Sequence, residues 1–338
     1  MSGNTEWRLR ARPRGEVTRA DFEVLSAARP VPGAGEALVR NIYLFVPPSM
    51  RLWMDEKESY LPPQPLGEVM AGITLGVVEA SNHPSLPVGT YVNCMGGCQQ
   101  WHVAPAERLQ PVTPHAGVPL AAYRTVLDVQ GLTAYCGLTE ICQPRAGETL
   151  VVTAAAGSVG SLVCQIGKKL GLRVVGVAGG REKCDWLLEA CGVDAVIDYK
   201  AGGVGERLDQ ACPDGIDMLF ENVGGPVMDL VLDRVNRRAR IALCGLVSSY
   251  NGGGTQRTSA LMQLVNKSAR MEGFLLTDHY GRYAEVTRKL EEWILDGGIR
   301  YQIDILDGLD QLPEAMGRVF HGRNRGAQLL RLSQEERT

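Results

Sequence analysis

The stretch Leu150-Val-Val-Thr-Ala-Ala-Ala-Gly-Ser-Val-Gly160 decides how this chain is read. An apolar run, Leu150 to Thr153, gives way to small residues and two glycines, after which Val159, Leu162, Val163 and Ile166 recur at helical spacing. The pattern predicts a strand, a tight turn and a helix start, and it keeps the G-x-G-x-x-G template except that Ala155 stands for the first glycine. Gly157 lets backbone approach a pyrophosphate, the helix start supplies N–H groups and positive dipole, and Gly160 permits close helix-to-strand packing. Thr149 to Gly167 is uncharged for long enough to suggest a membrane span, but its three glycines, two threonines and two serines favour strand, turn and helix.

The next unit sharpens the ligand. A site for NAD usually ends its second strand with an acid that binds the ribose hydroxyls, whereas here Arg173–Val177 runs into Ala178-Gly179-Gly180-Arg181-Glu182-Lys183. An absent acid with Arg181 and Lys183 close by favours a 2'-phosphate, hence NADP(H) as the cofactor. Apolar runs follow at Ala195–Asp198, Ile216–Glu221, Arg240–Cys244 and Arg270–Leu276, with helix-like stretches between most of them. That alternation predicts an α/β fold with a doubly wound parallel sheet. Asn222, followed by Gly224-Gly225, stands at a strand's carboxyl end, where an open sheet of this kind binds ligand.

Upstream, from about residue 16 to 112, prolines and glycines break up short apolar runs and predict a β-rich unit. Downstream, helices are expected near Tyr283–Leu295 and Leu312–Phe320, with a closing strand at Gln328–Leu332. The 338 residues suggest two domains, and 40 glycines, about 12% against a usual value of about 7%, suggest many tight turns or close backbone approaches. A net charge of -3 gives no general pull toward nucleic acid or an anionic membrane, so neither is an expected partner. Nine scattered cysteines read as reduced thiols, and the first residues show no basic start with an apolar core, so a cytoplasmic protein is expected.

Several ordered motifs then agree: Gly131-Leu-Thr-Ala-Tyr-Cys-Gly-Leu, Ala154-Ala-Ala-Gly-Ser-Val-Gly160, Asp198-Tyr-Lys200, Glu221-Asn-Val-Gly-Gly225, Cys244-Gly245 and Gly322-Arg-Asn-Arg-Gly326. Together they resemble the zinc-independent medium-chain dehydrogenase/reductases, in particular the group of prostaglandin, leukotriene B4, alkenal and curcumin reductases. The resemblance implies a GroES-like catalytic domain (1–125 with 300–338), a Rossmann NADP-binding domain (126–299), and a homodimer whose sheets join at the strand over Arg270–Leu276. It further implies that Gly157 and Val159 meet the pyrophosphate, with Ser158 and Gly160 in the same turn. Lys183 and Tyr199 would hold the 2'-phosphate beside Gly179. Asn222, the Cys244–Tyr250 loop with Gly245, and Phe274 to Leu276 would line ribose and nicotinamide, with Thr133 and Asn324 near the cofactor.

The implied reaction is reduction of the C=C bond of an enal or enone by NADPH. A quinone or carbonyl reductase, or an NADPH-binding protein without turnover, are the other readings of the same scaffold. The family's tyrosine near the substrate falls on His279, with Tyr280 beside it, so either is a candidate proton or hydrogen-bond donor. Tyr43, Ser49, Met50 and Trp53 would form one side of the pocket. Here Val46-Pro-Pro-Ser-Met-Arg51 replaces the family's Asp-Pro-Tyr-Met-Arg, and Trp101 and His102 also depart from the usual neighbourhood. No metal is expected, since Pro65-Leu-Gly-Glu-Val-Met-Ala-Gly72 lacks the histidine that zinc enzymes place beside this glutamate, and Cys94 and Cys98 are the only close cysteine pair in the catalytic portion.

Overall fold

The computed structural model of the chain describes residues 3–57, 59–252 and 259–335. It divides into two compact units, Met1–Thr125 with Ile303–Thr338, and Val126–Gln302.

The first unit opens with an antiparallel pair, β1 (Asn4–Leu9) and β2 (Phe22–Ala27). The long β3 (Glu36–Phe45) follows, then the four-residue helix α1 (Met50–Trp53), β4 (Ile73–Ser81), β5 (Tyr91–Cys94), β6 (Trp101–Pro105) and β7 (Gln110–Val112). The pairing of β3 with β4 carries two register shifts, and β3 contributes side chains to two cores. Ala37 and Val39 pack with Val78 and Val92, whereas Leu44 joins Trp7, Met50, Trp53 and Met70.

In the second unit, α2 (Val129–Cys136) continues into a wider π-helical turn, Gly137–Cys142. There follow β8 (Thr149–Val152), α3 (Ser158–Lys169), β9 (Arg173–Ala178), α4 (Arg181–Glu189), β10 (Ala195–Asp198), α5 (Val204–Ala211), β11 (Ile216–Glu221), α6 (Gly225–Leu232), β12 (Val235–Leu243), α7 (Met262–Asn266), β13 (Arg270–Gly273) and α8 (Tyr283–Leu295). The six strands are parallel in the order β10-β9-β8-β11-β12-β13. The chain winds outward from β8 in one direction and from β11 in the other. Their carboxyl ends therefore form the switch point where such sheets bind ligands. Leu162, Val163 and Ile166 of α3 are buried, and a Cβ at Gly167 would stand 3.0 Å from Val174 and 3.1 Å from Leu150, so glycine there lets helix and sheet meet closely.

Two strands differ from expectation. The run over Arg270–Leu276 pairs only to Gly273, because its partner β12 ends at Leu243; the next amides, Cys244 N–H and Gly245 N–H, turn back to the Glu221 carbonyl at 2.9 and 3.2 Å. Among the described residues Phe274 thus has no strand beside it, and Leu276 begins a short helical turn, Leu276–Arg282. Strand β12 starts earlier than the Arg240–Cys244 run suggests and carries an irregularity where Arg238 has φ of 64°.

The chain then returns to the first unit with β14 (Ile303–Asp307), α9 (Leu312–Phe320) and β15 (Ala327–Arg331). Strand β15 pairs antiparallel with β3, completing a sheet in the order β14-β15-β3-β4-β5-β7, with β6 also on β3. No described helix is long and apolar enough to cross a membrane. All nine cysteines are free thiols.

Candidate active site

The turn after β8 shows what its glycines are for. Gly157 has φ of -79° and caps α3, so it is not needed for a left-handed backbone; that conformation falls on Ala154, at φ of 47°. What glycine supplies is space: a Cβ at Gly157 would come within 3.0 Å of the Ala154 carbonyl, and one at Gly160 within 2.3 Å of it and 2.9 Å of Ala155 Cα. The first-turn N–H groups of Ser158, Val159 and Gly160 lack intrahelical acceptors by helix geometry, leaving donors at the carboxyl edge of the sheet.

Across the switch point, the start of this turn is tied to the end of β11. Asn222 donates from its backbone N–H to Thr153 Oγ1 and from Nδ2 to the Thr153 carbonyl, both at 2.8 Å. Glu221, a residue the sequence reading passed over, organises the same corner. Its Oε1 accepts from Thr153 Oγ1 at 2.8 Å and from the N–H groups of Val223 and Gly224 at 2.6 and 2.8 Å. The one signal available was a carboxylate ending an apolar strand directly before a glycine turn. The Cys244–Tyr250 loop closes on this corner: Val247 N–H reaches the Asn222 carbonyl, Ser248 Oγ donates to the Val223 carbonyl at 2.6 Å, and Tyr250 Oη accepts from Leu246 N–H at 3.2 Å. A Cβ at Gly245 would lie 3.1 Å from Tyr250 Oη. Burial, with a smaller push from Glu221, drives the Cys244 thiol up to about 12, so it is no nucleophile at neutral pH.

At the far side of the sheet, β9 and β10 bring Gly179 and Tyr199 together. A Cβ on Gly179 would fall 2.7 to 2.8 Å from the Tyr199 ring. Asp198 fixes this corner, its Oδ1 accepting from Gly180 N–H at 2.9 Å and Lys200 N–H at 3.0 Å. Lys183 lies in the first turn of α4, and Arg181 is largely exposed, 3.5 Å from Asp185. Thr133, on α2, donates its hydroxyl to the Val129 carbonyl at 2.6 Å.

Phe274 packs edge-on against Phe220 and against the His279 ring, at centroid distances of 6.3 and 6.1 Å. His279 Nδ1 lies 2.9 Å from Glu140 Oε2, and Arg282 Nη1 donates to Glu140 Oε1 at 2.6 Å. Cys136 completes the group, with one ligating atom each of Cys136, Glu140 and His279 within 4.8 Å of one another. That donor set suits a dication in kind, and its carboxylate is also paired with Arg282, which Glu140 shares with Glu285. Tyr280, beside it, is 51% exposed.

The remaining candidates lie in the first unit. Met50 and Trp53 are buried in its core with Leu44, and Trp53 Nε1 donates to Tyr60 Oη at 2.9 Å. Ser49 precedes α1, where its carbonyl accepts from Leu52 N–H at 2.9 Å. Tyr43 does not join them: as the strand neighbour of Leu44 it faces the other way, and its hydroxyl binds Glu335. Trp101 stacks under Arg29, and buried His102 contacts Cys94 Sγ at 3.4 Å, so this histidine is part of the unit's interior. Asn324 Nδ2 donates to the Gly326 carbonyl at 2.8 Å, bracing the turn into β15.

Comparison with known proteins places these features in a lineage. Residues 5–112 match the family described as N-terminal domain of oxidoreductase, and 158–292 the one described as zinc-binding dehydrogenase. The chain is 41% identical to an NADPH-dependent curcumin reductase of Escherichia coli over 98% of each chain. It is 38% identical to an NADP(+)-dependent 2-alkenal reductase of Nicotiana tabacum, over 90% of this chain and 89% of that one. A crystal structure of CurA from Vibrio vulnificus in complex with NADPH aligns with a TM-score of 0.91 at 40% identity, covering 98% of this chain and 100% of the other.

Proposed function

Since this chain belongs to the zinc-independent medium-chain dehydrogenase/reductases of the alkenal and prostaglandin reductase type, we propose that it reduces the C=C bond of α,β-unsaturated aldehydes or ketones with NADPH. The observation that carries this reading is full-length similarity to curcumin and alkenal reductases, joined to a sheet whose switch point presents a glycine-cleared turn opposite Asn222. The residues fit the cofactor: Gly157 and Gly160 leave room beside backbone donors for a diphosphate, and β9 ends without an acid that would repel a 2'-phosphate. Gly157 to Gly160 would hold the pyrophosphate. Gly179, Lys183 and Tyr199 would surround the 2'-phosphate, and Thr133, Asn222, Cys244, Gly245, Tyr250, Phe274, Leu276 and Asn324 the ribose and nicotinamide.

NADPH, when bound, supplies a hydride to the β-carbon of the acceptor. What the chain must add is a hydrogen-bond donor where negative charge gathers on the conjugated oxygen, and a proton for the α-carbon. His279 and Tyr280 are the residues proposed for these tasks. No covalent nucleophile is required. Ser49, Met50 and Trp53, and Tyr43 by way of its strand, are proposed to shape the substrate's surroundings.

The test is oxidation of NADPH, with NADH in parallel, against enals, enones, enoyl thioesters and quinones, with products identified. Saturated aldehydes or ketones and a preference for NADPH are expected. Allylic alcohols or turnover of quinones alone would overturn the reaction while keeping the cofactor, and tight NADPH binding without turnover would make the chain a binding protein.

A further inference from the structure

Two candidates for the proton donor sit side by side in sequence, and the structure treats them differently. Tyr280 is half exposed, whereas the His279 side chain is only 13% exposed, packed edge-on by Phe274. Its Nδ1 meets Glu140 Oε2 at 2.9 Å, and among the described residues Nε2 has no hydrogen-bond partner. Glu140 comes from the π-helical turn after α2, 139 residues away in the chain, and is itself fixed from two more directions. Arg282 donates to its Oε1 at 2.6 Å while also binding Glu285 at 2.7 Å, and the Cys136 thiol hydrogen-bonds to it. Burial pushes the Glu140 carboxyl up, but the bonds from Arg282 and Cys136 and the charges of His279 and Arg282 outweigh it and hold the carboxyl below the usual range. The group is thus an anion, aimed at one nitrogen of one ring.

We propose that Glu140 is a positioning residue for the reduction: it holds Nδ1–H of His279 and leaves Nε2–H as the proton delivered to the α-carbon of the substrate. The proposal rests on the reading of His279 as donor and chooses it over Tyr280. In the step, a C–H bond forms at the α-carbon of the enolate and the Nε2–H bond of the imidazolium breaks, its electron pair staying on Nε2. The neutral ring that remains carries its proton on Nδ1, the tautomer Glu140 already accepts, so no rotation or tautomer exchange accompanies the transfer. A proton taken up from the bulk solvent then restores Nε2–H, so each turnover consumes one solvent proton besides the hydride. A carboxylate behind an imidazole does the same work in hydrolases, by fixing orientation and tautomer.

The experiment compares E140A, E140Q, H279F and the double variant E140A/H279F by steady-state kinetics, and reads the His279 tautomer by 15N NMR on histidine-labelled protein without cofactor. E140A is expected to lower kcat by about 10- to 100-fold, with KM for NADPH changed less than twofold and the Nδ1–H signal lost. E140Q, whose amide carbonyl still accepts from Nδ1–H, keeps the tautomer and recovers part of kcat; it also serves if E140A does not fold. The double variant should be no slower than H279F, because Glu140 acts only through that ring. If H279F keeps full turnover, the donor reading fails and the proposal with it. If H279F is impaired but the two losses multiply, or E140A leaves kcat and the tautomer unchanged, His279 stands as donor and Glu140 loses its role.

Discussion

At the end of β11 the Glu221 carboxyl is fully buried, and its Oε2 has no hydrogen-bond partner among the described residues. Burial pushes its pKa up, and the donors on Oε1, the N–H groups of Gly224 and Val223 and the Thr153 hydroxyl, pull it down only in part. The folded chain therefore keeps this proton to a higher pH than the unfolded chain, whose glutamates titrate near about 4.3. Between those two values the native state binds more protons, so stability falls as pH rises. The contribution is present in full below the unfolded value, is lost as pH climbs through the folded one, and is flat beyond it. Glu221→Gln keeps an acceptor for the Asn222–Gly225 turn and removes the titration. The unfolding free energy of the native protein minus that of the variant, from urea melts between pH 4.5 and 8, should fall as pH rises; a constant difference would mean that Glu221 is ionised throughout.

The strand, turn and helix formed by β8, residues 153–157 and α3 permit a sharper separation of fold from binding. At Gly160 a Cβ would strike backbone that cannot move aside, the Ala154 carbonyl at 2.3 Å, whereas at Gly157 the same carbonyl stands at 3.0 Å. Gly160→Ala should cost about 3 kcal/mol of stability, the upper end for overpacking. Gly157→Ala should melt near the native temperature yet bind NADPH about tenfold more weakly, since its methyl enters the space assigned to the pyrophosphate. Equal NADPH affinity for Gly157→Ala, measured by fluorescence titration, would remove this turn from the cofactor site. The element was legible because strand, glycines and helical spacing are contiguous, and α8 and α9 were legible because their apolar residues repeat at the helical period. Strand β1 was not, because Asn4 and Glu6 are buried: they bond to each other at 3.1 Å, and Asn4 also takes Trp101 N–H, so the polar pattern hides an inward face. The end of β13 depended on where its partner β12 turns away, and the meeting of Glu140 with His279 on residues far apart in the chain; neither leaves a local trace.

For the whole molecule, the topology of the parallel sheet leaves one question of assembly. Its order ends at β13, which among the described residues has a neighbour, β12, on one side only. Unpaired edges invite a further strand, and natural proteins commonly blunt them with charge or cover them. Arg270 and Glu272 supply some charge on β13, but α7 just before it exposes Met262 at 64% and Val265 at 73%. A second copy of this chain, meeting the first edge to edge about a two-fold axis, would pair both strands and cover both sets of side chains with one self-complementary surface. We expect light scattering at micromolar concentration to give about twice the chain mass of 36.6 kDa. Replacing Met262 with Lys and Val265 with Glu in one variant should shift that mass to the single chain, because each copy would then bury two charges against the other. A native mass of one chain would exclude the dimer, and a variant that stays dimeric would move the interface away from α7 and β13.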